Sequence, residues 1–214
     1  MPYFPMFIDI EDKECVIIGG GLVAFRKVEA LLEFGANITV VAREACGEIQ
    51  GLNNAISIKL KDYDTADIEN AYIVIAATND TDLNTRISRE AGELKIPVNV
   101  VDVLEECTFI FPAYLKKGDV AIGITSSGKS PIISQRIKKI IDKALPPFLE
   151  ELTTTLGNVR QTVKSIFPLE EQRKRVLRKI VDNGFLHQGK VASGDIETII
   201  EEEKKLQVNG GRDE

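Results

Sequence analysis

The amino-acid sequence predicts an α/β protein: a Rossmann-like, mostly parallel sheet domain, followed by a small β-α element and an all-helical C-terminal domain. Three observations lead there. An apolar run over Cys15–Ile18 breaks into Gly19-Gly20-Gly21, and a helical pattern starts at once. From there to Val101, short apolar runs alternate with amphipathic stretches, the pattern of a parallel sheet with helices on both faces. After Pro146-Pro147 the remaining chain reads as helix throughout. The boundaries suggested are 1–112 for a nucleotide-binding domain, 113–147 for a β-α element carrying a polar loop, and 148–214 for the helical domain.

Phe4–Ile10 is a short apolar lead-in, and the first strand covers about Cys15–Ile18. The turn after it contains G-x-G-x-x-A as Gly19, Gly21 and Ala24. Gly19 supplies the turn, Gly21 allows close approach of a pyrophosphate, and Ala24 allows helix and strand to pack closely. The free N–H groups and dipole of the following helix would hold the phosphates. That helix places Val23, Val28, Leu31 and Leu32 largely on one side, and Gly35 ends it. A second strand spans Asn37–Ala42, a short helical piece lies near Glu44–Gln50, and a third strand covers about Ala55–Leu60. Tyr72–Ala77 is a continuous apolar run, as in a strand buried on both faces. Thr78-Asn79-Asp80 reads as a loop and N-cap, Asp82–Leu94 as a helix, and Ile96–Val101 as the fifth strand.

Beyond Asp102, Thr108–Phe111 and Val120–Thr125 read as strands joined by Pro112–Asp119. A long helix follows Pro131, with an apolar stripe of Ile133, Ile137, Ile140, Ile141, Ala144 and Leu145. Helices are expected over about 148–165, 169–183 and 194–206, and a polar, frayed end over 208–214. No internal repeat is visible.

The composition narrows the function. The net charge of −6 argues against a nucleic-acid binder with a general basic surface, but not against an anionic small molecule held in a local basic pocket. No apolar run approaches the roughly 20 residues of a membrane span, and the start lacks a signal-peptide pattern, so residence in the cytoplasm is expected. Cys15, Cys46 and Cys107 form no C-x-x-C pair and read as reduced, structural thiols. His187 is the single histidine, which rules out a multi-histidine metal site within one chain, and it reads as a helix-end or surface residue.

Candidate site residues fall at the carboxyl ends of the strands, where a doubly wound sheet binds its ligand. Arg43 and Glu44 follow the second strand: Arg43 can stack on adenine or meet a 2′-phosphate, and Glu44 can take ribose hydroxyls, so NAD and NADP are both open. Thr78 and Asn79 close the fourth strand and offer hydrogen bonds. Asp102 ends the fifth and can act as a general base, hold a cationic nitrogen or ligate a metal. Gly123–Ser130, Gly-Ile-Thr-Ser-Ser-Gly-Lys-Ser, matches the phosphate-loop pattern G-x-x-x-x-G-K-S. Pro131 follows directly, the chain beyond is helical, and the parallel sheet lies before it, so an anion site of Ser126, Ser127, Gly128 and Lys129 at a helix start is preferred to a nucleotide hydrolase.

On these residues the chain resembles the siroheme-synthase dehydrogenase module, precorrin-2 dehydrogenase and in some members also sirohydrochlorin ferrochelatase. The likeness is carried by Phe4-Pro5-Met6-Phe7, Val16 to Lys27, Ala76 to Asp80, Asn99 to Asp102, Thr108 to Ala113, Gly118-Asp119 and Ser126 to Pro131, covering about residues 4 to 145. The resemblance implies NAD-dependent oxidation of precorrin-2 to sirohydrochlorin in siroheme biosynthesis. Leu22, Val23, Arg43 and Glu44 match NAD-contacting positions, and Asp102 matches the carboxylate needed for dehydrogenation. Ser126 matches a loop serine that is phosphorylated in some members. It further implies a homodimer joined through about Pro112–Pro147, and a separate uroporphyrinogen methyltransferase upstream. In bifunctional members Asp102 would also serve chelation, with ferrous iron as substrate. A non-catalytic NAD-binding regulatory domain and a phosphate-loop nucleotide hydrolase using Gly123–Ser130 are the rival readings.

Overall fold

The computed structural model describes residues 3–210, with side chains up to Leu206. The chain forms two compact units: one running to Pro112 together with Ser127–Lys129, the other Ala113–Ser126 with Ser130 onward.

The first unit is a five-stranded parallel sheet. Its strands are β1 (Glu14–Ile18), β2 (Asn37–Ala42), β3 (Ser57–Leu60), β4 (Ile73–Ala76) and β5 (Val98–Val100), in the order β3-β2-β1-β4-β5. Helices α1 (Leu22–Leu32), α2 (Gly47–Gln50) and α3 (Thr81–Glu93) connect them. β1 is buried on both faces, so its side chains alternate between two cores. Cys15 and Ile17 join Ala24, Val28 and Leu31 of α1, whereas Val16 and Ile18 join Ile87 and Ala91 of α3. Each such Val or Ile contributes about 1.5–3 kcal/mol by leaving water, which ties the carboxyl end of β1 firmly between both helix layers. The chain winds outward from β1 to β3 and then returns to β4 on the other side. The crevice at that reversal is the ligand edge of such a sheet.

Gly35 ends α1 as expected. Its φ is 76°, its N–H donates to Leu32 O at 3.0 Å, and the Ala36 N–H reaches Leu31 O at 3.3 Å. Asp80 caps α3, its carboxylate accepting the Leu83 N–H at 3.0 Å. The α1 stripe needs one revision: Ala24, Val28, Ala30 and Leu31 are buried, whereas Val23 faces outward at the helix start.

The second unit opens with a hairpin of β6 (Ala113–Lys117) and β7 (Val120–Ile124), antiparallel through Gly118-Asp119, followed by α4 (Pro131–Ala144), α5 (Leu149–Ile166), α6 (Glu170–Leu186) and α7 (Ser193–Gly210). Two expectations are corrected here. The partner of β7 is Ala113–Lys117, which had read as a connector, and Thr108–Phe111 is not a strand. Thr108 does pair with Val98, but its hydroxyl replaces the ladder by accepting the Val98 N–H at 2.7 Å, and Asn99 Nδ2 donates to Phe109 O at 3.1 Å. The chain bends at Thr108-Phe109, and Phe109 and Phe111 pack against the core on the α1 side. The helices α6 and α7 run past their expected ends, α7 as far as Gly210, so 208–210 are helical where a frayed end was expected, and the rest of that end, 211–214, lies outside the described residues. Helices α5 to α7 share a core of Val163, Phe167, Val176, Ile180 and Ile200.

Candidate dinucleotide and substrate site

The three glycines of the turn do three different jobs. Gly19 has φ 128°, and a Cβ there would lie 2.3 Å from Ala77 O. A Cβ on Gly20 would lie 1.9 Å from Glu44 O, and the Gly20 carbonyl accepts the Cys46 N–H at 2.8 Å. These two glycines let the turn press against the chain leaving β4 and β2. Gly21 is different, because nothing lies within 4 Å of its Cβ position. It is the N-cap of α1 in extended conformation, with no side-chain cap and no acid in the first helical turn. The first-turn N–H groups therefore look into open space, with the positive end of the helix dipole behind them. That cradle fits a pyrophosphate. Leu22 and Val23 flank it at 54% and 43% exposure, and Ala24 is wholly buried beneath it.

At the β2 end, Arg43 and Glu44 are both exposed, and the Arg43 guanidinium is paired with Asp62. Thr78 closes β4, but its polar groups are committed. Its N–H and hydroxyl donate to Asn84 Oδ1 at 3.3 and 2.7 Å, and its carbonyl accepts from Asn84 Nδ2 at 3.1 Å. Buried Asn84 thus holds this loop, and Asn79 is left exposed at its tip.

Asp102 follows β5 in the left-handed region at φ 64°, a conformation that is uncommon away from glycine. The turn is pinned from below by Cys107. Its sulfur accepts the Val100 N–H at 3.2 Å, and its thiol reaches the carbonyls of Val100 and Val103, each at 3.2 Å. Burial pushes the Cys107 thiol up from its ordinary value, so it stays neutral. Asp102 itself is exposed. Close to this turn lies the tip of the polar loop: a Cβ on Gly128 would be 2.7 Å from Leu104 Cδ2. Ser127 and Gly128 are also left-handed, at φ 55° and 78°. Ser126 Oγ accepts the Ser130 N–H at 2.8 Å, and Ser130 Oγ caps α4 through the Ile133 N–H at 3.3 Å. Lys129 is exposed.

β7, which leads into this loop, belongs to a two-stranded antiparallel sheet rather than to the parallel one, unlike the strand before a phosphate loop. His187 is exposed at the end of α6, its N–H bonded to Asn183 O at 3.0 Å. Cys15 is buried, with its thiol pushed up to about 12 by desolvation and by Glu14. Among the described residues no group of three His, Cys, Asp or Glu is arranged to hold a metal ion, and no helix is long and apolar enough to cross a membrane.

Sequence reasoning missed four residues here. Gly20 is packed against Glu44, Asn84 organises the Thr78 loop, Cys107 underpins Asp102, and Lys27 lies on the Phe111 ring. The third glycine in a row was the available signal for Gly20. The others depend on contacts that no local pattern announces.

The glycine turn, its open cradle and the parallel sheet agree with the comparisons. Residues 6–113 match the family described as "Putative NAD(P)-binding". This chain belongs to that NAD(P)-binding family. The family assignment covers the whole parallel sheet and ends where the hairpin begins. Curated relatives include siroheme synthases from Ruthia magnifica, 33% identical over 97% of this chain and 46% of that protein, and from Nitrosospira multiformis, 33% identical over 98% and 47%. A third, from Vesicomyosocius okutanii, is 34% identical over 92% of this chain and 42% of that protein. The chain spans about half the length of these relatives. The resemblance to the siroheme-synthase module is thus met in sequence. The fold is shared with a solved structure, SirC, a precorrin-2 dehydrogenase, at TM-score 0.70 and 22% identity, over 95% of this chain and 100% of that one.

Proposed function

We propose that this NAD(P)-binding protein oxidises precorrin-2 to sirohydrochlorin with NAD as acceptor. The observation that carries the reading is Asp102. It is an exposed carboxylate in a left-handed turn, at the same sheet edge as the open glycine cradle, with the Gly128 loop tip beside it. The names of the relatives and of the SirC structure supply the substrate.

Gly21, Leu22 and Val23 would hold the pyrophosphate through first-turn N–H groups, and Glu44 would take the adenosine ribose. Arg43 is already paired with Asp62, which disfavours its use on a 2′-phosphate and so favours NAD. Asn79 would face the middle of the dinucleotide, with Thr78 shaping its loop. When bound, NAD supplies the two-electron acceptor. The substrate loses a hydride and a proton, and Asp102 takes the proton. Lys129 and the backbone N–H groups of Ser127 and Gly128 would meet substrate carboxylates, and Ser126 keeps the loop in shape. Insertion of ferrous iron into the product would be a second use of Asp102.

The protein would work in the cytoplasm as a homodimer joined through the 113–147 element, where the α4 isoleucines are exposed. A methyltransferase must act first to make the substrate. Anaerobic incubation with precorrin-2 and NAD tests the reading by absorbance of sirohydrochlorin and NADH formed in equal amounts. Asp102→Ala is expected to slow this by about 10²–10⁴-fold with NAD affinity unchanged. Normal turnover in that variant would remove Asp102 from the chemistry, and added ferrous iron reads out chelation separately.

A further inference from the structure

Lys27 is a half-buried cation near the Asp102 corner. It lies on α1 one turn beyond Val23, so it shares the helix side that Val23 exposes at the cradle. Its ammonium sits 3.8 Å from the centroid of the Phe111 ring. The side chain is half-buried, and among the described residues its ammonium has neither a hydrogen bond nor an ion pair. The titratable groups that act on it are the Cys107 thiol and Asp102, both at Coulomb range rather than in contact. A surface lysine would turn its charge into water. This one is held inside by the aromatic ring, with its N–H donors unused.

We propose that Lys27 is a substrate-binding residue that receives a carboxylate of the tetrapyrrole and so seats the macrocycle against Asp102. The inference rests on the dehydrogenase reading and deepens it. Burial pushes the Lys27 ammonium down from its ordinary value, while Cys107 and Asp102 pull it back up. Cys107 is neutral, so Asp102 is the anion that supports the charge, and a second carboxylate placed on Lys27 would offset the remaining desolvation. The neutral carboxamide of the nicotinamide would leave that charge uncompensated. A precorrin-2 ring carries eight carboxylates around its rim. One of them on Lys27 and others near Lys129 would hold one edge of the ring at two places flanking the base.

The test compares wild type, Lys27→Met, Lys27→Gln and Lys27→Arg. Methionine keeps the length and packs well on an aromatic ring, and glutamine gives a second neutral variant if methionine misfolds. The readouts are precorrin-2 KM and kcat, NAD affinity by calorimetry, and equilibrium binding of sirohydrochlorin without iron, followed by its absorbance. Loss of a charge-assisted hydrogen bond should raise KM and weaken sirohydrochlorin binding by about ten- to a hundredfold in the neutral variants. NAD affinity should stay within about threefold and Lys27→Arg should recover most of the loss. Unchanged sirohydrochlorin affinity would overturn the assignment. So would a loss confined to NAD affinity, or a drop in kcat at constant KM. A wild type that binds NAD but neither binds sirohydrochlorin nor oxidises precorrin-2 sinks the dehydrogenase reading itself, whereas normal wild-type turnover with silent variants sinks only Lys27.

Discussion

At the scale of single residues, Asp102 carries a backbone conformation that its side chain does not need. A non-glycine residue in the left-handed region costs about 1 kcal/mol, less for Asp than for most. At φ 64° Asp102 bears that cost, yet its carboxylate accepts no hydrogen bond among the described residues that would repay it. A carboxylate kept there despite the strain points to use on a ligand. Asp102→Gly is therefore expected to melt at the wild-type temperature or a few degrees above it, and above Asp102→Ala, while dehydrogenation is lost in both. A melting point several degrees below wild type in calorimetry would make the carboxylate structural. The position of Asp102 was legible because a carboxylate at the end of a parallel strand falls on the ligand edge. Its strain was not, since no sequence pattern marks an aspartate at positive φ. Lys27 was equally hidden: in a helix it reads as part of a solvated face, and the ring that holds it, Phe111, belongs to a segment that looked like a strand.

At the scale of elements, the strand–turn–helix at Gly19 to Ala24 shows how one motif combines packing and binding. The motif asks for glycine first and third, and the structure adds a reason for the one between. Gly20→Ala must push its methyl into Glu44 O and Ala45 Cα, at 1.9 and 2.9 Å, and both are backbone atoms that cannot swing away. It should destabilise the fold by several kcal/mol or displace the end of β2. Gly21→Ala meets empty space and an extended φ, so it should fold with a melting temperature within about 2 °C of wild type but bind NAD at least tenfold more weakly, because the methyl fills the pyrophosphate cradle. Thermal melts and NAD titration of the two variants check this. Equal NAD affinity in Gly21→Ala and wild type would move the cofactor elsewhere. The hairpin shows the opposite case. Gly118-Asp119 between Ala113–Lys117 and Val120–Ile124 is a two-residue turn of the kind that joins paired strands. Pro112–Asp119 read as a connector instead, although Lys116 and Lys117 suit a strand with water on one side.

At the scale of the molecule, the long helix α4 leaves a question that one chain does not answer. Its sequence carries an apolar stripe, yet only Ser134 of the helix is buried. Ile132, Ile133 and Ile140 are 81%, 54% and 60% exposed. Contiguous apolar side chains in water at this density mark an interaction surface. With Ile137 between them, these make four exposed isoleucines on one helix, which fit half of a two-fold interface in which the same helix of each copy covers the other. A stable dimer needs about 800 Å² from each partner. The expected outcome for the wild type is a dimer at micromolar concentration in sedimentation velocity. Ile133→Asp with Ile140→Asp should be monomeric, because burying two carboxylates without partners costs several kcal/mol. The same double variant should keep its NAD affinity, since neither residue belongs to the glycine cradle. A monomeric wild type would refute the dimer. A dimer that survives both aspartates would place the interface on another face and leave the α4 stripe without its partner.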